Sequence, residues 1–289
     1  MFKRLHNSFA FRFPVLFYKN WLTFKSSSGL NDKPLASFNY AVLCGKKHFS
    51  FLKQELLSVQ KRFRKLPFMY VYLDFGFPEK LISDIQLLYP KSKLKIIFAA
   101  DCIKFHQERG NKQLVEFASK NPMGLKLAAI LQTVDLKVPV VYADTDVLWL
   151  NDPIDDIEGL LNSSYNIHMQ YDYQPGYDFN LIEKAQLLSL YHEPYYCAGL
   201  MLINRLNKEQ LDTVNNMLPI LVEKSGHLSE QTIFAYLQKN IGASGLTPDK
   251  YILKYDDQFE IRFRAKKEWI ARHYIGPVRH LFWRDAFYN

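Results

Sequence analysis

Cysteine is scarce in this chain. Cys44, Cys102 and Cys197 are odd in number, far apart and without a CxxC pair. That argues against a disulfide framework and a thiolate zinc site, and it fits a reducing, cytoplasmic compartment. Long apolar runs are also missing, since no stretch approaches the ~20 residues a membrane span needs. Even Phe13 to Tyr18 contains Pro14. A cleavable signal peptide is not expected, because Arg12 and Lys19 interrupt the apolar core and no small-x-small site follows. Acids are absent from residues 1–25, which hold Lys3, Arg4, Arg12, Lys19 and Lys25, so +5 of the net +8 sits there. The remaining charge is mixed and no nucleic-acid motif is present, so no nucleic-acid partner is expected. There is no internal repeat and no low-complexity tract.

Aromatic residues are abundant at 15%, with 22 Phe and 18 Tyr in 289 residues. Eight aromatics fall in the basic N-terminal segment: Phe2, Phe9, Phe11, Phe13, Phe17, Tyr18, Trp21 and Phe24. Basic plus aromatic residues there point to contact with an anionic membrane surface, placing the protein peripheral to a membrane. The competing reading is an arm that packs its aromatics on the rest of the chain. Lys25-Ser-Ser-Ser-Gly-Leu-Asn-Asp-Lys-Pro34 reads as a linker, so residues 1–36 form an arm and linker and 37–289 a single domain.

Beyond the linker, strand and helix patterns alternate. Strands are expected at Ser37–Leu43, Phe68–Leu73, Leu94–Ala99 and Val138–Ala143, with helices over Phe51–Phe63, Pro78–Leu88 and Gly124–Val134. Such alternation implies an α/β fold with a mostly parallel sheet, whose ligands bind beyond the carboxyl ends of the strands. The second half is less regular. Asn166–Tyr173 and Tyr196–Ile203 read as strands. Asn207 caps a helix to Lys224 that bends or breaks at Pro219, and Ser229 caps another through Leu237.

The densest chemistry lies in Val140-Val-Tyr-Ala-Asp-Thr-Asp-Val-Leu-Trp-Leu150. Two carboxylates two residues apart on an extended strand point the same way. Buried without a counter-ion they would be costly. If the strand ends near Ala143, Asp144 and Asp146 reach one point outside the sheet edge, where a divalent cation on a phosphate would neutralise them. Cys44-Gly45, at the end of the first strand, falls on the same rim. Near the other end of the chain, His273-Tyr-Ile-Gly-Pro-Val-Arg279 supplies an imidazole, a tight turn and a guanidinium suited to phosphate.

In combination these pieces resemble the nucleotide-sugar glycosyltransferases of the GT-A fold, most closely the retaining family-8 type, with the related nucleotide-diphospho-sugar transferases a close second. The resemblance covers roughly residues 38–283. It rests on an ordered set: Gly124-Leu-Lys-Leu-Ala128, Tyr142-Ala-Asp-Thr-Asp-Val147 followed by Asn151-Asp-Pro153, Tyr195-Tyr-Cys-Ala-Gly-Leu-Met-Leu-Ile-Asn204 with Ser229-Glu-Gln231, and His273-Tyr-Ile-Gly276 with Arg279. The resemblance implies a Rossmann-like GT-A sheet with an extended C-terminal acceptor-side lobe. It implies that Asp144, Asp146 and His273 hold Mn²⁺ (or Mg²⁺), a suitable ion for an oxygen-rich set with one imidazole. Cys44, Gly45, Lys126, Asp144, Gly276 and Arg279 would then contact the donor diphosphate or sugar. Glu230, Gln231 and Asp172 would stand on the sugar and acceptor side, and Asp152 reads as a turn acid. Cys197 stands where the family usually has Asn, Glu230 where it has Asp, and the segment after Arg279 is longer than the family's compact closing motif.

The activity implied is metal-dependent transfer of a sugar from a nucleoside-diphosphate sugar, UDP-linked, to a glycan or lipid-linked acceptor, with retention. An inverting enzyme would need a carboxylate base near the acceptor, for which Asp172 or Glu193 would serve. A sugar nucleotidyltransferase is the next reading, although Cys44-Gly-Lys-Lys47 is a poor version of the Gly-rich loop it needs. A non-catalytic nucleotide-binding protein is the third.

Overall fold

The computed structural model describes residues 2–24, 32–240, 244–263 and 265–289. Most of the expected linker, including Lys25, lies outside them. In chain order the elements are α1 (Phe2–Phe13), a π turn (Pro14–Tyr18), α2 (Lys19–Phe24), β1 (Leu35–Cys44), α3 (Phe49–Arg62), β2 (Leu66–Leu73), α4 (Lys80–Gln86), β3 (Leu94–Phe98), α5 (Ala99–Glu108), α6 (Lys112–Lys120) and α7 (Pro122–Val134). They continue with β4 (Val140–Ala143), β5 (Val147–Trp149), α8 (Ile154–Leu161), β6 (Ile167–Asp172), α9 (Phe179–Lys184), β7 (Tyr195–Ile203), α10 (Lys208–Glu223), α11 (Ser229–Asn240), β8 (Tyr251–Ile252), β9 (Ala271–His273) and α12 (Leu281–Tyr288).

Among the described residues the main sheet runs β3-β2-β1-β4-β7-β6. β3, β2, β1 and β4 are mutually parallel, while β7 is antiparallel to both β4 and β6. β1, β2 and β4 are largely buried on both faces, as crossover helices require, while the edge strand β3 is half-exposed. Side chains alternate between two cores. Tyr40, Val42, Val71, Val141 and Ala143 enter one, and Ala41, Tyr72, Val140 and Tyr142 the other. The chain order reverses between β1 and β4, because β1 leads on to β2 on its other side. In open α/β sheets such a reversal leaves a crevice beyond the carboxyl ends. This is the mostly parallel, helix-flanked sheet expected from the sequence.

Several local expectations change. α10 runs unbroken through Pro219, which sits inside the helix. Asn207 caps it as expected, in a reciprocal capping box with Gln210. Ser229 is the first residue of α11 and donates its hydroxyl to Asp178 Oδ2 at 2.6 Å, so it ties α11 to the N-cap of α9. A small second sheet, β5-β9-β8, follows the acidic stretch. Its partners are far apart in sequence, and the resulting ladder positions the site.

The N-terminal arm is helical from Phe2 to Phe24, and one of its faces packs on the chain. Tyr18 and Leu22 are buried with Trp269, Leu281, Phe282 and Trp283. The Tyr18 ring lies 4.8 Å from that of Phe287.

Candidate metal and nucleotide site

β4 ends at Ala143 and the chain turns over Asp144-Thr-Asp146 before β5 begins. Val147 N–H closes the turn on Asp144 O at 3.0 Å, and Asp144 N–H donates to Gly199 O of β7 at 2.8 Å. Both carboxylates therefore stand at the carboxyl end of β4, next to that of β1. The Asp146 side chain is 9% exposed and that of Asp144 32%. His273 arrives through the small sheet. It faces Val147 in the antiparallel pairing of β5 with β9, and Tyr274 N–H donates to Asp146 O at 2.9 Å. Its Nε2 comes 3.3 Å from Asp146 Oδ1, and Asp144, Asp146 and His273 present ligand atoms all within 4.8 Å of one another.

The imidazole is held from below by β7. A Cβ added to Gly199 would lie 1.9 Å from His273 Cε1, so the ring occupies space that only glycine leaves open. Cys197 Sγ lies 3.6 Å from His273 Nδ1, on the side of the ring away from Asp146. A partner at Nδ1 fixes ring orientation and tautomer, which in metal sites tunes the ligating nitrogen. In the sequence Cys197 stands out as a departure from the family, whereas Gly199 lies within the same motif with no role of its own assigned to it.

Two cations neutralise the acids from opposite sides. Lys126 of α7 is buried, with Nζ 2.9 Å from Asp144 Oδ1 and 3.1 Å from Glu230 Oε1. Arg279 Nε donates to Asp146 Oδ2 at 2.8 Å, its side chain 45% exposed. Burial alone would push the Lys126 ammonium down, but Asp144 and Glu230 beside it raise its pKa above the usual value. Asp146 shows the complementary pattern. Burial would raise its carboxyl, yet the hydrogen bond and charge of His273, with Arg279, hold it below the usual range. His273 is likewise disfavoured as a cation by burial, and the neighbouring Cys197 sulfur and Asp146 carboxylate outweigh this and push it up to about 10. Tyr142 OH donates to Asp144 Oδ1 at 3.0 Å, fixing that carboxylate from beneath.

The sugar-side candidates fall into two groups. Glu230 is buried in the first turn of α11, and its Oε2 has no partner among the described residues. Gln231 is committed within the protein: its Oε1 accepts from Ala198 N–H at 2.9 Å and its Nε2 donates to Gly176 O. Its observed contacts therefore tie β7 to the loop before α9. Asp172, at the end of β6, accepts from Tyr173 N–H at 2.7 Å and from Tyr255 OH at 3.4 Å. Burial raises its pKa above the usual carboxylate value. Gly176 neighbours both Asp172 and Gln231, since a Cβ there would lie 3.7 Å from Asp172 Oδ2 and 3.0 Å from Gln231 Nε2. Glu193 lies exposed in the loop before β7. Gln170, paired with Cys197 across β6 and β7, is fully buried with both amide atoms unpartnered among the described residues, and sequence reading missed it.

Cys44 and Gly45 sit at the carboxyl end of β1, with Cys44 buried and Gly45 in extended backbone opening a short turn. Gly276 adopts φ +24° at the start of the turn that delivers Arg279, a conformation glycine tolerates best. Asp152 accepts from Ile154 N–H at 3.3 Å, the turn role expected of it, and also pairs with Arg64.

The residues present fit a divalent cation. Two carboxylates and one imidazole converge, and with His273 neutral, as a metal ligand must be, the Asp144, Asp146 and Glu230 charges exceed those of Lys126 and Arg279 by one. Hard oxygen ligands with one nitrogen suit Mn²⁺ or Mg²⁺ better than thiolate-seeking metals.

No protein-family model and no curated protein sequence matches the chain. Its likeness to known proteins is one of fold. Mouse xyloside xylosyltransferase 1, in its apo form, superposes with a TM-score of 0.55 at 16% identity, over 82% of this chain and 96% of its own. The galactosyltransferase LgtC, in complex with donor and acceptor sugar analogs, superposes with a TM-score of 0.53 at 14% identity, over 86% and 95%. The WbbM bifunctional glycosyltransferase gives 0.55 at 11% identity, over 91% of this chain and 51% of that one. The chain has the GT-A glycosyltransferase fold.

Proposed function

We propose that this protein is a metal-dependent glycosyltransferase that moves a sugar from a nucleoside-diphosphate donor, UDP-linked, to a glycan or lipid-linked acceptor, with residues 37–289 as its catalytic domain. One observation carries the reading. Asp144, Asp146 and His273 bring ligand atoms within 4.8 Å of one another at the rim of a GT-A sheet, flanked by Lys126 and Arg279. Asp144, Asp146 and His273 would hold Mn²⁺ (or Mg²⁺). When bound, that ion supplies positive charge to the diphosphate as the bond from sugar C1 breaks.

The chain's own residues do the rest. Arg279 is the exposed cation of the set, able to turn its guanidinium from Asp146 to a phosphate and donate two parallel hydrogen bonds. The Gly276 turn positions it, and Gly45 lines the β1 side of the crevice where the nucleotide would lie; Cys44, fully buried in the core beneath it, is a packing residue and not the donor contact expected of it. Lys126 pairs with Asp144 and Glu230 and adds charge that stabilises the leaving group. Glu230, with its free Oε2 acceptor, suits a sugar hydroxyl. Gln231 would act through the backbone it holds, and Asp172 faces the acceptor side. Retention follows the family resemblance. The neighbours named for xylosyl and galactosyl transfer make UDP-xylose and UDP-galactose the first donors to try.

Asp144→Asn tests this directly. It preserves the shape and the Tyr142 contact but removes a charge of the metal set. Metal-supported charge stabilisation is worth several kcal/mol, so Mn²⁺-dependent UDP release should fall on the order of a hundredfold or more. Far-UV circular dichroism should be unchanged. Wild-type rates of metal-dependent release in the variant would refute the proposal.

A further inference from the structure

We propose that the outward face of the N-terminal arm is a docking surface for an anionic lipid bilayer. This goes beyond the transfer chemistry and does not depend on it. One face of the arm is used: Ala10, Tyr18 and Leu22 are buried, the Phe11 ring lies tilted 4.4 Å from that of His280, and Lys19 Nζ lies 5.1 Å over Trp283. An aromatic ladder runs along the arm, with Phe9, Phe17 and Trp21 exposed and Phe13 between them half-buried against the core. Phe9 and Phe13 stack at 4.9 Å, Phe13 and Phe17 at 5.2 Å, and Phe17 and Trp21 at 6.3 Å. Leu5, Phe9, Leu16, Phe17 and Trp21 are each between 46% and 66% exposed.

The ladder depends on a detail of the backbone. A four-residue step on a straight α-helix drifts by about 40°, so four steps would carry Leu5 and Trp21 to nearly opposite sides. The π turn at Pro14–Tyr18 is wider and takes up part of that drift. The rings therefore stay in one file.

Charge selects the occupant. The described arm bears Lys3, Arg4, Arg12 and Lys19 and no acid. A second copy docking through this face would set cations against cations. An anionic membrane complements them, while the aromatic rings enter the interfacial layer. No described helix is long and apolar enough to cross a membrane. An apolar face plus a basic patch supplies the two signals that firm surface attachment requires.

The test uses the full chain and vesicle co-sedimentation. Wild-type protein should pellet with phosphatidylcholine vesicles containing phosphatidylglycerol and bind at least tenfold less to phosphatidylcholine alone. The variant Lys3→Gln/Arg4→Gln/Arg12→Gln should lose about fivefold in affinity per charge removed. The variant Phe9→Ser/Phe17→Ser/Trp21→Ser should lose binding to both vesicles. Both should keep wild-type metal-dependent UDP release in solution, which separates a failure here from a failure of the proposed activity. The proposal is overturned if wild-type protein stays in the supernatant with anionic vesicles or if the variants bind as well as wild type. It is also overturned if the serine variant turns a lipid-free wild-type dimer into a monomer, which would make the ladder a contact between copies.

Discussion

Position 199 decides where the imidazole of His273 sits. The ring lies so close over the Gly199 backbone that a methyl there would meet Cε1 at 1.9 Å and Nδ1 at 2.4 Å. Real contacts cannot be that short, so Gly199→Ala must push the ring off the acidic pair. Displacing a supporting contact of a metal ligand typically weakens the metal tenfold or more. Isothermal titration of Mn²⁺ in the presence of UDP should show at least that loss, with the far-UV spectrum intact. Unchanged affinity would mean that His273 is not a ligand. At this scale the sequence showed which residues carry charge and imidazole, because Asp144, Asp146, Lys126, Arg279 and His273 stand in an ordered set. It did not show how they are held. Gly199 matters because β7 passes beneath β9, and the fate of the Gln231 amide depends on where Ala198 and Gly176 come to lie. Neither is encoded in local spacing.

At the scale of elements, the first parallel strands and the helix carrying Lys126 were readable from hydrophobic period, to within a few residues. α5 and α6 were not anticipated. The small sheet was also missed, because its strands are two or three residues long and β5 pairs with β9 across more than a hundred positions. Yet β9 is what brings His273 to the acids, and its other face is anchored by charge. Arg272 is fully buried, with Nη1 and Nη2 donating to Asp257 at 2.8 and 2.7 Å, and Nη1 lies 3.3 Å from Asp285. Tyr274 OH and Arg284 complete the set around Asp285. Removing one member of a buried ionic cluster leaves the others uncompensated, which costs about 3–5 kcal/mol. Arg272→Met should therefore lower the urea midpoint by that much stability, and Mn²⁺ affinity should fall with it as β9 loosens. A variant with wild-type stability would show that the cluster does not hold the strand.

The whole molecule gathers carboxylates at one rim with cations around them, an arrangement that favours a metal and a diphosphate together over either alone. The ion would neutralise Asp144 and Asp146, while the diphosphate would complement the ion, Arg279 and Lys126. Linkage then predicts a cooperative thermal response. A ligand at 100 times its dissociation constant stabilises by about 2.7 kcal/mol, and a chain of this size shifts by roughly 2–4 °C per kcal/mol. UDP with Mn²⁺ should raise Tm by about 5–10 °C, well above the sum of the shifts from UDP alone and Mn²⁺ alone. UTP with Mn²⁺ should do no better than UDP, because a transferase site is built to hold the diphosphate it releases. A larger shift with the triphosphate would point instead to nucleotidyl transfer, and additive shifts would mean that metal and nucleotide occupy unrelated places. In Asp144→Asn the cooperative part should vanish while the metal-free UDP shift remains, since Arg279 and the β1 rim are untouched by that change. Loss of both shifts together would show that Asp144 supports the nucleotide pocket itself and not the ion within it.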